Sequence, residues 1–194
     1  MAVSSNVFWS SAKPDPKRQF RFIVEFPQIG VEGAIPQFVV KTATKPKITI
    51  SSTPHVFMDH QFNFPGRVTW DPVTITMVDP GGKSDIALML MNKLGASGYK
   101  NPTTSKEAVI SLSKDNAVNK GLGAVSISQL NAEGQLVEKW TLKNAFITNM
   151  DFGGLDYSSD ELSEISIELT YDWATLNENP ANPATPLQSP STVG

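Results

Sequence analysis

The stretch from Leu162 to Trp173 is the cleanest alternation in the chain. Ile165, Ile167, Leu169, Tyr171 and Trp173 fall on one side, and Glu164, Ser166, Glu168, Thr170 and Asp172 on the other. Successive side chains of a strand point to opposite faces, so an apolar/polar period of two specifies a half-buried strand and no helix can sort these residues. The same period recurs at Phe20, Phe22, Val24 and Phe26, and again at Ile48 and Ile50. Over 56–64 it predicts one strand, with Val56, Met58, His60, Phe62 and Phe64 on one face and Phe57, Asp59, Gln61 and Asn63 on the other. Further strands are expected over 37–43, 68–78 (interrupted at Pro72), 124–130, 135–142 and 144–152. Asn131-Ala-Glu-Gly134 reads as a hairpin loop, with glycine where a tight turn needs it. The fold class is mainly β.

One segment breaks the rule. After Pro80-Gly81-Gly82, residues Ile86, Met89, Leu90 and Leu94 recur at helical spacing, with Ser84 as a candidate cap and Gly95 and Gly98 as stop signals. This predicts one mid-chain α-helix over 85–94. A short helix over 106–112 is a second, ambiguous expectation. Residues 44–55 read as a loop between two strands, and Pro65-Gly66 as a turn. Pro180, Pro183, Pro186 and Pro190 mark an extended C-terminal segment. The expected organisation is an N-terminal arm (1–19), one domain (20–176) and a Pro-rich extension (177–194). At 194 residues and 40% hydrophobic, the chain can bury one sizeable core.

Composition removes whole classes of function. There is no cysteine, hence no disulfide framework, thiolate metal site or cysteine nucleophile. The N-terminal residues lack the apolar stretch of a signal peptide, and no apolar run is long enough to span a bilayer, so no membrane partner is expected. The two histidines, His55 and His60, are five apart in one expected strand and would face opposite ways. Gly95-Ala-Ser97-Gly98 follows a helix rather than a strand and reads as a helix stop, not a nucleophile elbow. Asp151-Phe152-Gly153 reads as a strand end followed by a glycine turn, and the spacing of Asp151, Asp156 and Asp160 is not that of a calcium loop. No catalytic residue, metal or cofactor is expected.

The net charge of −3 hides a segregation. Residues 1–50 carry +4, residues 51–150 carry +1, and residues 151–194 carry −8 with no Lys or Arg at all. A duplex-DNA binder would need a basic block, which is missing.

The order of segments resembles the tail tube protein of contractile-tailed bacteriophages, a family related to type VI secretion and pyocin tube proteins. The residues that carry the resemblance are Phe20-Arg-Phe-Ile-Val-Glu-Phe26, Phe38 to Pro46, Val56 to Gly66, Trp70 to Asp79, Trp140 to Phe146, Leu155 to Asp160 and the closing strand from Ile165 to Trp173. The resemblance implies a β-sandwich or barrel-like subunit with one helix. It implies hexameric rings that stack into a hollow tube inside a contractile sheath, started at a baseplate and ended by a terminator. Such a tube, part of the virion and assembled in the host cytoplasm, conducts phage DNA without binding it tightly. The alternatives within the resemblance are a tube initiator or terminator, or a secretion-system tube subunit. The alternative outside it is a β-sandwich binding module with a Pro-rich partner-binding tail.

Three sets of residues are candidates for these roles. Glu164, Glu168 and Asp172, then Asp59, Gln61 and Asn63, are expected to line the lumen, where like charge would repel DNA phosphates. Lys45, Pro46, Lys47, Ser51, Ser52 and Pro54 are expected in an inter-ring loop. Lys13, Lys17, Arg18 and Arg21 form a basic arm that would meet acids of a neighbouring subunit.

Overall fold

The computed structural model describes residues 16–26, 39–81 and 85–178. Its strands are β1 (Phe22–Glu25), β2 (Val40–Ala43), β3 (Lys47–Phe57), β4 (His60–Asp71), β5 (Val73–Val78), β6 (Ser126–Leu130), β7 (Leu136–Lys143), β8 (Phe146–Asp151), β9 (Glu164–Thr170) and β10 (Trp173–Glu178). They form two four-stranded antiparallel sheets, in the orders β1-β6-β7-β10 and β2-β5-β9-β8. A separate two-stranded ribbon is made of β3 and β4. The fold is mainly β, as expected.

One core holds both sheets. Val73, Ile75 and Met77 of β5 and Ile165, Ile167 and Leu169 of β9 are fully buried, and face Ile127 of β6 and Leu142 of β7 in the same cluster. Helix α1 (Ile86–Ala96) closes the cluster with Ile86 and Leu90. Asp85 caps it by accepting from the Leu88 N–H at 2.9 Å. Ser84, the cap expected from the sequence, lies outside the described residues. Ser97 ends the helix by donating its hydroxyl to the Lys93 carbonyl, which gives the glycine-flanked serine a capping role.

The second helical segment differs from expectation. Residues 105–109 form turns and 110–112 are irregular; the helix lies further on, as α2 (Lys114–Asn116) running into a π-helical stretch, Ala117–Leu122. Ser113 caps α2, and Leu122 is delivered to the core.

Two alternating stretches prove to be broken. Residues 56–64 are not one strand, because Met58 and Asp59 form the turn between β3 and β4. Met58 takes a left-handed backbone with φ 51. Pro65 and Gly66, expected as the turn, sit within β4 at an irregularity of the ladder. Residues 44–55 are accordingly not a loop: most of them are β3. Likewise 162–173 is two strands, since the chain turns at Tyr171 and Asp172 and enters the other sheet as β10. Trp173 therefore leaves the buried set and is about half exposed, at 47%.

Asp151-Phe152-Gly153 behaves as the sequence suggests. The Gly153 N–H donates to Asp151 Oδ1 at 3.0 Å, and Gly153 has φ 73. A β-carbon there would lie 2.6 Å from the Glu164 carbonyl oxygen. Gly153→Ala should therefore destabilise the chain by about 1–2 kcal/mol in urea denaturation, from backbone strain plus displacement of β9.

Candidate assembly surfaces

The most conspicuous surface is the ribbon. It continues the β2–β5 pair out of the sandwich: the Thr44 N–H donates to the Thr74 carbonyl at 3.0 Å, and β3 and β4 follow directly. Its base is anchored. Tyr171 donates its hydroxyl to the Asp71 carbonyl at 2.9 Å and lies against Trp70 with ring centroids 5.9 Å apart. Lys47 bridges Asp71 at 2.9 Å, and with the Thr49 hydroxyl it holds that carboxyl below its ordinary range. Beyond the base nearly every residue is exposed.

Register sorts the ribbon's side chains. Near the base, Ile48 pairs with Trp70 and Ile50 with Val68, so these four share one face. Between Ile50 and Ser52 the ladder slips, with β4 contributing one residue more than β3. Past this bulge, Thr53 pairs with Phe64, His55 with Phe62 and Phe57 with His60. Odd positions of β3 oppose the face of the even ones, so Phe57, Phe62 and Phe64 lie on the other side from Ile48 and Ile50. The ribbon is apolar on one face at its base and on the opposite face at its tip. His55 and His60 share the tip face, contrary to the expectation from one continuous strand. No group of three or more metal-ligating side chains occurs among the described residues.

The second surface is the outer side of the sheet β2-β5-β9-β8. Register places Thr42, Thr76, Ser166 and Asp151 in one row across it, and Thr74, Glu168 and Asn149 in another. Thr148 and Thr170 meet by their hydroxyls at 3.3 Å. Of the acids expected to form a stripe, Glu164 and Glu168 lie on this face. Lys41 pairs with Glu164, which raises the lysine's pKa. Asp172 lies beyond the strand: it sits in the corner after β9, bridged by Lys114 at 2.7 Å and by Asn144 at 2.7 Å, which lower its pKa. Asp59 is at the ribbon tip, and Gln61 donates to Asn63 at 3.1 Å on β4.

The third feature is an ionic knot at the mouth of the sandwich. Glu138 of β7 stands on the same side of its strand as Trp140 and Leu142, so it points between the sheets and is buried. Lys45, entering from the base of the ribbon, donates to it at 2.7 Å and to Gln129 at 2.6 Å. Lys17 of the N-terminal arm pairs with its other oxygen, and Trp140 Nε1 donates at 2.5 Å. Burial alone would raise the carboxyl's pKa, but Lys17, Lys45 and Trp140 outweigh it and hold the value at about 2. Sequence reading missed Glu138, because its partners lie 121 and 93 residues away.

The inter-ring candidates are thus divided. Lys45 belongs to the knot, Lys47 to the ribbon base, and Ser51 accepts from the Arg67 N–H at 2.9 Å within the bulge. Ser52 pairs with Pro65 and Pro54 with Asn63 along the exposed arm, while Pro46 sits at its root. Of the basic arm, Lys17 is spent inside the chain, Arg18 receives the Gln129 amide at 3.1 Å on its carbonyl, and Arg21 lies 5.3 Å from the Phe20 ring. Lys13 lies outside the described residues, as do residues 179–194 of the Pro-rich extension.

A fourth surface is the loop from Phe152 to Ser163, between β8 and β9. Leu155 is 95% exposed and Leu162 71%, and Tyr157 is fully exposed. Residues 151–164 carry Asp151, Asp156, Asp160, Glu161 and Glu164 and no Lys or Arg.

No family profile and no curated protein matches the chain. Solved structures do share its fold. A chain of the anti-feeding prophage baseplate aligns with TM-score 0.61 at 18% identity, over 86% of this chain and 98% of that one. A chain of the sheath–tube complex of PVC, an extracellular contractile injection system, aligns with TM-score 0.57 at 19% identity, over 84% and 92%. A chain of the anti-feeding prophage tube-terminating cap aligns with TM-score 0.60 at 19% identity, over 92% and 99%.

Proposed function

We propose that this chain is a structural subunit of the tube of a contractile, phage-like particle, with no catalytic role. The observation that supports it most is the fold shared almost end to end with chains of particles described as a baseplate, a sheath–tube complex and a tube-terminating cap. The surfaces suit the role. Among the described residues, β1, β2, β8 and β10 are sheet edges, each with a row of backbone groups that another copy can pair. Neighbours joining sheets edge to edge make a ring, expected to be hexameric. Rings then stack through the exposed ribbon, which holds Ser51, Ser52 and Pro54, into a tube inside the sheath.

The hydroxyl-rich outer face of β2-β5-β9-β8 is the proposed lumen wall. It carries Glu164 and Glu168, with Lys41 offsetting part of the charge. Such a wall would let phage DNA pass without adhering. A second reading, an initiator or terminator at one end of the tube, has specific support because the baseplate and cap chains align as well as the sheath–tube chain.

The purified chain should form hollow rings or tubes in negative stain, and sediment accordingly. A strict monomer at high concentration would refute the proposal. Rings that never elongate without added sheath or baseplate would favour the end-piece reading.

A further inference from the structure

The sandwich is open along one side. The core-facing side of the sheet β1-β6-β7-β10 continues past the buried cluster as Phe22 and Trp140, and Leu176 of β10 pairs with Trp140 on that same side. Opposite them β2 is only four residues long, and a cleft of about 750 Å³ is left between the sheets. Phe20, Phe22, Ile127 and Trp140 form one wall, and Thr42 and Ala43 the other. Leu176 is 47% exposed on a face that elsewhere is core, and Phe20 at the rim is 74% exposed. This inner surface lacks a cover.

Strand β10 delivers the chain to this cleft. It runs antiparallel to β7 and ends at Glu178, opposite Glu138, whose partners Lys17, Lys45 and Trp140 all line the cleft. Residues 179–194 follow, and none of them is charged. Pro180, Pro183 and Pro186 are three apart. A polyproline helix has three residues per turn, so in that conformation these prolines share one edge.

We propose that residues 180–186 dock as a polyproline helix in the cleft of their own chain, with the proline edge against Phe20, Phe22 and Trp140. Aromatic-lined grooves take proline-rich segments because the helix is preformed and costs little to order. Length agrees. From β10 to β1 is three strand spacings, about 14 Å, and six residues of polyproline helix cover about 19 Å. Charge agrees as well. The lysines of the cleft, Lys17, Lys41 and Lys45, are taken by Glu138 and Glu164, which leaves an apolar floor suited to an uncharged segment. Residues 1–15 also enter beside the cleft, but they hold one proline, Pro14, and no period of three. The docking lies within one chain and stands apart from the tube reading.

The absence of native cysteine makes the docking directly testable. Gln19→Cys puts one thiol at the exposed rim of the cleft, and Gln188→Cys puts a second just beyond Pro186. A comparison chain combines Gln188→Cys with Thr141→Cys. Thr141 alternates with Trp140 and Leu142, so it lies on the outer face of the same sheet, on the strand next to β10. A tail without a seat would reach position 141 at least as fast as position 19, because 141 is nearer its root. Circular dichroism checks that each full-length variant keeps the fold. The expected result is that oxidised glutathione closes the 19–188 pair at least tenfold faster than the 141–188 pair, in a product that runs as a single chain on a non-reducing gel. Adding Pro180→Ser, Pro183→Ser and Pro186→Ser should bring the two rates together. Equal rates with the prolines in place, or a preference that survives their loss, would overturn the docking. A product that runs as a dimer would overturn it too, and would assign the cleft to the tail of another copy.

Discussion

Replacing Phe57, Phe62 and Phe64 together by serine should leave the subunit folded and end its assembly. All three side chains are more than half exposed in the isolated subunit. Their removal therefore takes little from the monomer, whose core lies in the sandwich. In an assembly each aromatic passes from water to contact. Full burial of such a side chain stabilises by roughly 1.5–3 kcal/mol, and each is already about half covered, so the triple variant should lose about 3 kcal/mol per joint. That corresponds to a weakening on the order of a hundredfold, repeated at every joint of a stack. Analytical ultracentrifugation should show only small species at concentrations where the parent elongates, with an unchanged melting temperature. A variant that unfolds, or one that elongates normally, would count against the arm as an assembly element.

Glu138 should govern the stability of the subunit and its response to acid. Its carboxylate is almost wholly enclosed and ties three distant parts of the chain: the N-terminal arm through Lys17, the ribbon base through Lys45 and β7 through Trp140. Burial opposes the charge, and the three donors more than repay it, holding the folded pKa at about 2 against an ordinary 4.5. A depressed folded value means that the knot's contribution is complete above pH 4.5 and fades as the pH falls towards 2. The difference corresponds to about 3 kcal/mol in full. Glu138→Ala should cost about 2–3 kcal/mol at neutral pH, the lower side of a broken buried pair, because both lysines remain half in water. It should also flatten the stability profile between pH 4.5 and pH 2. Urea denaturation across that interval reads both effects, and an equally steep acid profile in the variant would show that other carboxylates dominate.

The parts of the fold that were legible in the sequence are those in which one element has one environment. Strand β9 buries Ile165, Ile167 and Leu169 against the core, and its alternation says so. Helix α1 sits between glycine-rich punctuation, and the Asn131–Gly134 turn carries its own glycine at φ 76. What stayed hidden were changes of direction that leave the alternation undisturbed. The turn at Met58 and Asp59 has neither glycine nor asparagine, and two turn residues preserve a period of two, so β3 and β4 read as one strand. The corner at Tyr171 and Asp172 conceals itself in the same way between β9 and β10. Asp172, expected on one strand with Glu164 and Glu168, lies in that corner after β9 has ended. Long-range partners, such as those of Glu138, have no local signature at all.

The bulge near Gly66 gives the arm a property of arithmetic. A β-carbon on Gly66 would fall 2.3 Å from the Ser51 hydroxyl, so the extra residue is held against its partner strand with nothing to spare. Because strands count in twos, absorbing that residue as a bulge is what keeps Phe62 and Phe64 on the side of Phe57, a side that the unbroken alternation of β3 sets. Insertions of even length, matched in β3 and β4 beyond it, would lengthen the reach and keep the aromatics where they are. A ladder that kept the base register without a bulge would instead turn Phe62 and Phe64 to the side of Val68 and Trp70, away from Phe57. The arm can thus vary in length only by parity, and a lineage that lengthened it would be expected to do so two residues at a time.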